Sequence, residues 1–315
     1  MNAPLYISAP ATIANLVCGF DILGLALESP HDPMRLSLSP EPGLRIKHTD
    51  GYALPTAPEK NVAGAALLAL MQELEAPVGF DLVIHKEIKP GSGLGSSAAS
   101  SAGAVVGANH LLGNRFSKED LVRFAMNGEK VASGVKHADN IAPGIYGGVT
   151  LIRAIHPLDI VPIQAPPLHV AVVHPQIEVR TADARQILRN EVQLKLAIKQ
   201  WGNIAGLVAG LIKGDYPLIG RSLEDVIIEP VRSILIPGFD EVKKRCQEAG
   251  SLGGGISGSG PSIFMLHEHR HTAEQVGGIM KEIYARLGID HKVYITSVNP
   301  EGVRLSTHPF PGQEP

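Results

Sequence analysis

The sequence predicts an α+β protein of two domains, and three observations carry that prediction. Apolar alternation and helical periodicity come in grouped blocks, which favours sheets covered by helices on one side over a doubly wound sheet. The length, 315 residues, is past the size at which a single core keeps growing. Glycine and proline, 34 and 24 in number, cluster unevenly, and three stretches stand out, 9–24, 89–103 and 250–261, with ordinary α/β sequence between them.

Leu5 to Ser8, Arg35 to Leu38 and Leu44 to Lys47 alternate and are bounded by Pro or Gly, as short strands are. Asn61 to Glu75 is rich in Ala and Leu and reads as a helix, with Asn61 as its N-cap and Pro77 beyond its end. Phe80 to Lys86 reads as a strand entering the second Gly-rich stretch. Ser97 to Leu112, rich in Ala and free of Pro, predicts a helix starting directly after that stretch. Ser117 to Val131 predicts the next helix, opened by Ser117 and Asp120 in a capping-box spacing. Tyr146 to Ile155 reads as a strand closing the first half. Four prolines between Ile155 and Pro167 mark a linker, which divides the chain into domains 1–160 and 161–315. The second half opens with a strand, Leu168 to His174. Helices are expected at Asp183 to Leu188, Val192 to Ile212 and Phe239 to Ala249. A strand over Pro261 to His267, a helix over Thr272 to Leu287 and a strand over Lys292 to Val298 follow. The polar tail from Ser306 is expected to fray. Trp201 and Tyr216 read as packing aromatics, and His267, His269 and His271 as a solvated loop cluster.

Composition excludes several classes of function. The net charge is -3 without a block of like charges, so the basic stripe of a nucleic-acid surface is missing. No apolar run approaches the 18 or more residues of a membrane span. The first ten residues lack the basic and apolar regions of a secretory signal. Two distant cysteines, Cys18 and Cys246, read as reduced thiols. A cytoplasmic enzyme is the expectation.

The chemistry concentrates in Pro90-Gly91-Ser92-Gly93-Leu94-Gly95-Ser96-Ser97-Ala98-Ala99, with Lys89 just ahead of it. Glycines let successive backbone N–H groups converge, and a helix starting near Ser97 adds its own free N–H groups and positive dipole end. Together they make a phosphate cradle. No Lys follows the glycines as a Walker A loop requires, and Ser96 takes the place of a dinucleotide fingerprint's third glycine. Gly253 to Gly258 does fit G-x-G-x-x-G, but it follows a helix and leads into a strand, the reverse of a dinucleotide site. It reads as a second flexible loop edging an active site.

With the Ala9 to Gly24 stretch, these segments resemble the three motifs of the GHMP family of small-molecule kinases, in order and along essentially the whole chain. Ala9-Pro10-Ala11-Thr12-Ile13-Ala14-Asn15 with Gly19-Phe20-Asp21, then Glu129, then His137-Ala138-Asp139-Asn140-Ile141-Ala142-Pro143, then Glu229-Pro230-Val231-Arg232 carry the likeness further. They point to the members that phosphorylate the side-chain hydroxyl of L-homoserine, a step toward threonine. The resemblance implies a ribosomal-S5-domain-2-like N-terminal half, a ferredoxin-like C-terminal half, ATP with Mg²⁺, and a homodimer. It implies that the amides of Gly91 to Ser97 hold the ATP phosphates, with Asn61 and Lys86 near the adenosine. Ser97 and Glu129 would be the Mg²⁺ ligands. Asn15, Asp21, His137, Asp139, Thr181, Arg185, Arg232 and Gly260 would line the amino-acid pocket.

Elementary chemistry agrees with that pocket. A zwitterion needs cations for its carboxylate, which Arg185 and Arg232 can grip as forks, and an anion for its ammonium, which Asp21 can supply. Each residue also has a plainer reading. Asp21 and Asp139 would serve as turn residues, and Arg185 and Glu129 as solvated helix positions. Arg232 would sit in an irregular segment, and His137 would be a structural hydrogen-bonded histidine. The wider family carries an Asp as proposed base where this chain has Asn140, which cannot take a proton. Phosphoryl transfer tolerates that, because its loose transition state depends mainly on positioning and charge neutralisation. Asn15 and Asp139 would then orient the hydroxyl. A kinase for another small alcohol such as mevalonate, or a non-catalytic ligand binder, stands as the alternative.

Overall fold

A computed structural model describes residues 4–179, 181–189 and 191–310, without the side chains of 181–183. In chain order the elements are β1 (Leu5–Ala14), β2 (Leu23–Ser39), β3 (Gly43–His48), α1 (Val62–Met71), β4 (Gly79–Ile84), α2 (Ser96–Leu111), α3 (Lys118–Ser133) and α4 (Ile141–Tyr146). Next come β5 (Val149–Ile155), β6 (Leu158–Ile163), β7 (His169–Pro175), α5 (Thr181–Gln186), α6 (Leu194–Lys213), α7 (Tyr216–Ser222) and α8 (Glu229–Arg232). The chain closes with α9 (Phe239–Glu248), β8 (Gly253–Ile256), β9 (Ile263–His267), α10 (Arg270–Arg286), β10 (His291–Ser297) and β11 (Arg304–Ser306).

Two sheets organise these elements. The first runs β11-β1-β2-β4-β3, with a β5–β6 hairpin joined to the start of β2. All its pairings are antiparallel except β3 with β4. The second sheet is antiparallel, in the order β10-β7-β9-β8. Period-two alternation splits the second sheet between two cores. Val170, Val172, Phe264 and Leu266 join the large core of the first sheet. Ala171, Val173, Ile263 and Met265 face the other way, against α9 and α10.

Helix α2 is built from small residues and is buried along most of its length, so it sits close against β1 and β2. A helix with larger side chains would stand farther from the sheet. The packing aims its N-terminus at the cleft. The predicted caps are present: Asn61 accepts from the N–H groups of Ala63 and Gly64, and Ser117 and Asp120 close a capping box.

The structure corrects four expectations. The proline-rich stretch is no linker, since its residues 158–163 form β6. That strand pairs only with β5, and an edge strand tolerates proline. Gly253 to Ile256 is strand β8 rather than a flexible loop. Glycine serves close approach there, because a Cβ on Gly254 would lie 1.9 Å from the Phe264 carbonyl oxygen. Trp201 is 59% exposed, since α6 is apolar on two faces and only one turns inward. His267 is a fully buried residue of β9, its imidazole pushed down to about 4 by burial. His269 and His271 stack at the start of α10, with ring centroids 5.5 Å apart.

Candidate active site

The three Gly-rich stretches meet. Thr12 N–H donates to the Leu94 carbonyl at 3.1 Å, and Ser262 N–H to the Ser92 carbonyl at 3.2 Å. Ser257 Oγ donates to the Gly93 carbonyl at 2.6 Å. Gly91, Gly93 and Gly95 have φ of 75°, 80° and 65°, which curls the loop ahead of α2. At Gly93 a side chain would also collide, its Cβ lying 2.6 Å from the Ser257 carbonyl oxygen. Gly95 caps α2 with no side-chain hydrogen bond, and the first turn holds no acidic residue. The leading N–H groups of α2 are therefore uncapped by any side chain, at the positive end of the dipole.

A cleft of about 440 Å³ opens over that helix end. Most of the predicted site residues line it, including Asn15, Asp21, Asn61, Lys86, Ser97, Glu129, His137, Asp139, Asn140, Arg185 and Arg232. Gly258 and Ser259 line it where Gly260 was expected. Leu94, Ala98 and Ala99 are buried in the core instead, and Lys89 points its ammonium at Gln176 Oε1, 2.8 Å away. The side chain of Thr181 lies outside the described residues.

Above α2, Ser97 Oγ donates to a carboxylate oxygen of Glu129. Glu129 is buried, which pushes its carboxyl above the usual range, and among the described residues it has no basic partner. One hydroxyl and one uncompensated carboxylate beside a phosphate cradle fit a hard divalent cation that completes its shell with phosphate and water oxygens.

Lys86 stands beneath the cradle. Its ammonium pairs with buried Asp32 and donates to the Ser96 carbonyl (2.7 Å) and Ser100 Oγ (2.9 Å). Asp32 in turn accepts from the N–H groups of Glu87 and Ile88, so the pair ties β2 to the start of the loop. Asn61 is equally committed. Its Oδ1 caps α1, and its Nδ2 donates to the Pro55 carbonyl (2.6 Å) and to His48 Nε2 (3.0 Å). His48 Nδ1 faces Asp50 Oδ2 at 3.3 Å. All the hydrogen-bonding capacity of Asn61 is spent within the protein, so it shapes the wall of the cleft.

At the other end lie the charged groups of the amino-acid pocket. Arg185 Nη2 donates to both oxygens of Asp21, at 2.9 and 3.0 Å, and His137 Nδ1 lies 3.7 Å from Asp21. Arg232 is buried over the Phe20 ring, with 4.8 Å to its centroid, and donates to the carbonyls of Ala184 and Gly258. Burial, and then the Arg185 charge, brings Arg232 down to about 10. Burial likewise holds the His137 imidazolium below its ordinary range. Asp139 is buried near Asp21 and Glu129; burial first, and those two charges after it, raise its carboxyl to about 7. Asn140 Oδ1 accepts from Thr12 Oγ1 at 2.8 Å. Asn15 donates to the Gly258 carbonyl and accepts from Asp21 N–H. Asn15, Leu16 and Val17 all have positive φ, and strain of this kind gathers at functional sites.

Sequence reasoning missed Asp32, His48 and the role of Phe20. Asp32 and Lys86 are 54 residues apart, and no local pattern links them.

The model of the GHMP kinases N-terminal domain matches residues 61–148, and that of the GHMP kinases C-terminal domain matches residues 207–286. A homoserine kinase of Chloroherpeton thalassium is 44% identical, covering 94% of this chain and 98% of its own length. The crystal structure of homoserine kinase from Cytophaga hutchinsonii superposes with a TM-score of 0.93 at 46% identity, covering 97% of this chain and 98% of that one. Mevalonate kinase of L. major, in complex with R-mevalonate, shares the fold at a TM-score of 0.71 and 18% identity, covering 94% and 96% of the two chains.

Proposed function

The chain belongs to the GHMP kinase family, and from that membership we propose that it transfers the γ-phosphoryl group of ATP to the side-chain hydroxyl of L-homoserine. One observation carries the reading. A single cleft holds an uncapped helix N-terminus with Ser97 and Glu129 at one end, and an Asp21–Arg185–Arg232 cluster at the other. The first set suits a nucleotide phosphate chain and the second a free amino acid. The full-length homoserine kinase relatives support the same substrate.

In the free chain Asp21 and Arg185 satisfy each other. A bound zwitterion takes both places, its ammonium on Asp21 and its carboxylate between Arg185 and Arg232. The exchange is neutral overall. A molecule with only one of the two charges leaves a partner bare, and an unpaired group in a desolvated site is costly. The carboxylate also relieves the repulsion between the two guanidinium groups.

Asp139 and Asn15 orient the hydroxyl toward the cradle. The hydroxyl oxygen bonds to the γ-phosphorus in line as the bridging P–O bond to ADP breaks, and the hydroxyl proton leaves to a phosphate oxygen or to solvent as the new bond forms. Asn140 has no titratable group, and a loose transition state makes little demand on a base. Backbone N–H groups of the loop and α2 stabilise the charge on the phosphate oxygens. Ser97 and Glu129 would hold Mg²⁺, which would supply positive charge to offset that of the phosphate chain. A cytoplasmic place in threonine biosynthesis and assembly as a homodimer belong to the same proposal. Among the described residues, no helix is long and apolar enough to cross a membrane.

The test is ADP release by the purified protein with Mg-ATP and, in turn, L-homoserine, mevalonate, galactose and shikimate. Turnover with homoserine alone, lost in Arg232→Leu, is the expected outcome. Turnover with mevalonate would keep the kinase and remove the amino-acid pocket. ATP binding without turnover on any of them would favour a ligand-binding role.

A further inference from the structure

Of the fully buried residues of α6, which are Gln200, Leu207, Gly210 and Leu211, Gln200 alone has a polar side chain. A buried amide is costly unless its groups are paired, and here both ends are. Nε2 donates to the Cys18 carbonyl at 2.8 Å, and Oε1 accepts from the Val226 N–H at 3.0 Å. The two partners belong to opposite walls of the amino-acid pocket. Cys18 lies two residues before Phe20 and three before Asp21, and Val226 lies six before Arg232. Leucine would meet the needs of packing at this position; the amide is needed for what it joins.

We propose that Gln200 is a positioning residue. It struts the loop carrying Phe20 and Asp21 against the segment carrying Arg232, and so sets the span over which the pocket holds the two charges of the amino acid. The role deepens the homoserine reading and rests on it.

Neither wall keeps its place unaided. On the first, Asn15, Leu16, Val17 and Asp21 have φ of 75°, 41°, 66° and 62°. Residues other than glycine hold such conformations only where the surroundings fix them, and the Gln200 bond falls on the carbonyl directly after the first three. On the second wall, α8 has four residues and no stability of its own. Asp225 caps it by accepting from the N–H groups of Ile227, Ile228 and Glu229, and Val226, held by Gln200, is the residue between. Side chains do not close the gap between the walls. A cavity of about 10 Å³ remains there, lined by Val17 and Phe20 from one side and Ile228 and Arg232 from the other. The spacing matters because the Phe20 ring faces both guanidinium groups, with 4.8 Å from its centroid to Arg232 and 5.4 Å to Arg185. A shift of the loop moves Asp21 and disturbs the seats of both arginines together. The phosphate cradle is held separately, through Thr12, Ser257 and Ser262.

Asn203, on the next turn of α6, supplies the control. It donates to the Glu224 carbonyl at 2.8 Å, so it anchors the second wall, and among the described residues it makes no hydrogen bond to the Cys18 loop.

Steady-state kinetics of the full chain, with each substrate varied in turn, test the strut. Gln200→Met keeps the length of the side chain and removes both hydrogen bonds. It is expected to raise the KM for L-homoserine about tenfold or more, with the KM for ATP within about twofold of wild type. Asn203→Ala is expected to leave both within about twofold. An unchanged KM for homoserine in Gln200→Met would overturn the proposal. So would an equal rise in both KM values, the mark of general loosening, or an equal rise in Asn203→Ala. Hydrogen exchange of the wild-type protein gives a reading that no variant's folding can spoil. The Val226 amide hydrogen is expected to exchange slowly, and more slowly still with homoserine bound but not with ATP alone. Exchange indifferent to homoserine would overturn the coupling. A wild-type protein that turns over only another alcohol, or none, fails at the substrate instead, and overturns the homoserine reading together with the role that rests on it.

Discussion

Asp139 shows how a single residue trades stability for function. Its carboxyl titrates at about 7 in the folded chain, for want of solvent and with Asp21 and Glu129 near it, against about 3.9 when unfolded. The charged form is therefore disfavoured by folding. Below about pH 4 both states are protonated and nothing is lost. Stability falls as pH rises toward 7 and is level above that, with a ceiling of about 4 kcal/mol. Asp139→Asn should raise the melting temperature by several degrees at pH 8 and hardly at all at pH 4, while turnover drops. Thermal melts at the two pH values check this, and an equal rise at both would remove the buried charge as its cause. Glu129 is the second residue with a measurable signature. Glu129→Gln keeps the hydrogen-bonding shape and removes the charge, so half-maximal activity should require at least tenfold more Mg²⁺ at an unchanged KM for homoserine. A Mg²⁺ titration at saturating substrates reads this directly, and an unaltered titration would take Glu129 out of the cation site.

Among the elements, Gly93 is the tightest crossing. It combines a φ of 80° with two carbonyl oxygens, of Ser257 and Gly260, lying 2.6 and 2.7 Å from where a Cβ would stand. Gly93→Ala should push the loop away from β8 and its turn, and raise the KM for ATP tenfold or more with little change in the KM for homoserine. Steady-state kinetics with each substrate varied distinguish this from general damage, which would move both. The same elements show what could be read from sequence alone. Helices were legible where their start signals are local, as at Asn61 and the Ser117–Asp120 box. The phosphate loop was legible because one run of glycines and serines carries it. β2 was only partly legible. It spans 17 residues through Pro30 and Pro33, because pairing with β1 along its length outweighs the local breakers. The hairpin strand β6 and the glycine strand β8 were hidden for the same reason. In the site, Asp21 and Arg185 were legible as charges for a zwitterion, but their contact with each other across 164 residues was not.

Across the whole molecule, the first sheet depends on residues made near the end of the described chain. Arg304, Leu305 and Ser306 of β11 pair with Ser8, Ile7 and Tyr6 of β1. Asn299 N–H donates to the Ala26 carbonyl, Gly148 N–H to the Asn299 carbonyl, and Val303 N–H to the Gly144 carbonyl. Deleting residues 299–315 leaves one side of β1 as an open strand edge, a template for pairing with other chains. The shortened protein is expected in the insoluble fraction on expression, and a soluble, active product would show that β11 is dispensable. The order of synthesis gives this return a further meaning. A ribosome releases the nucleotide-binding half long before residue 304 exists, so that half waits with an open edge while the remainder is translated. A prematurely terminated chain never closes it, and the cell's chaperones and proteases can recognise the unfinished molecule by that edge before it ever turns over ATP.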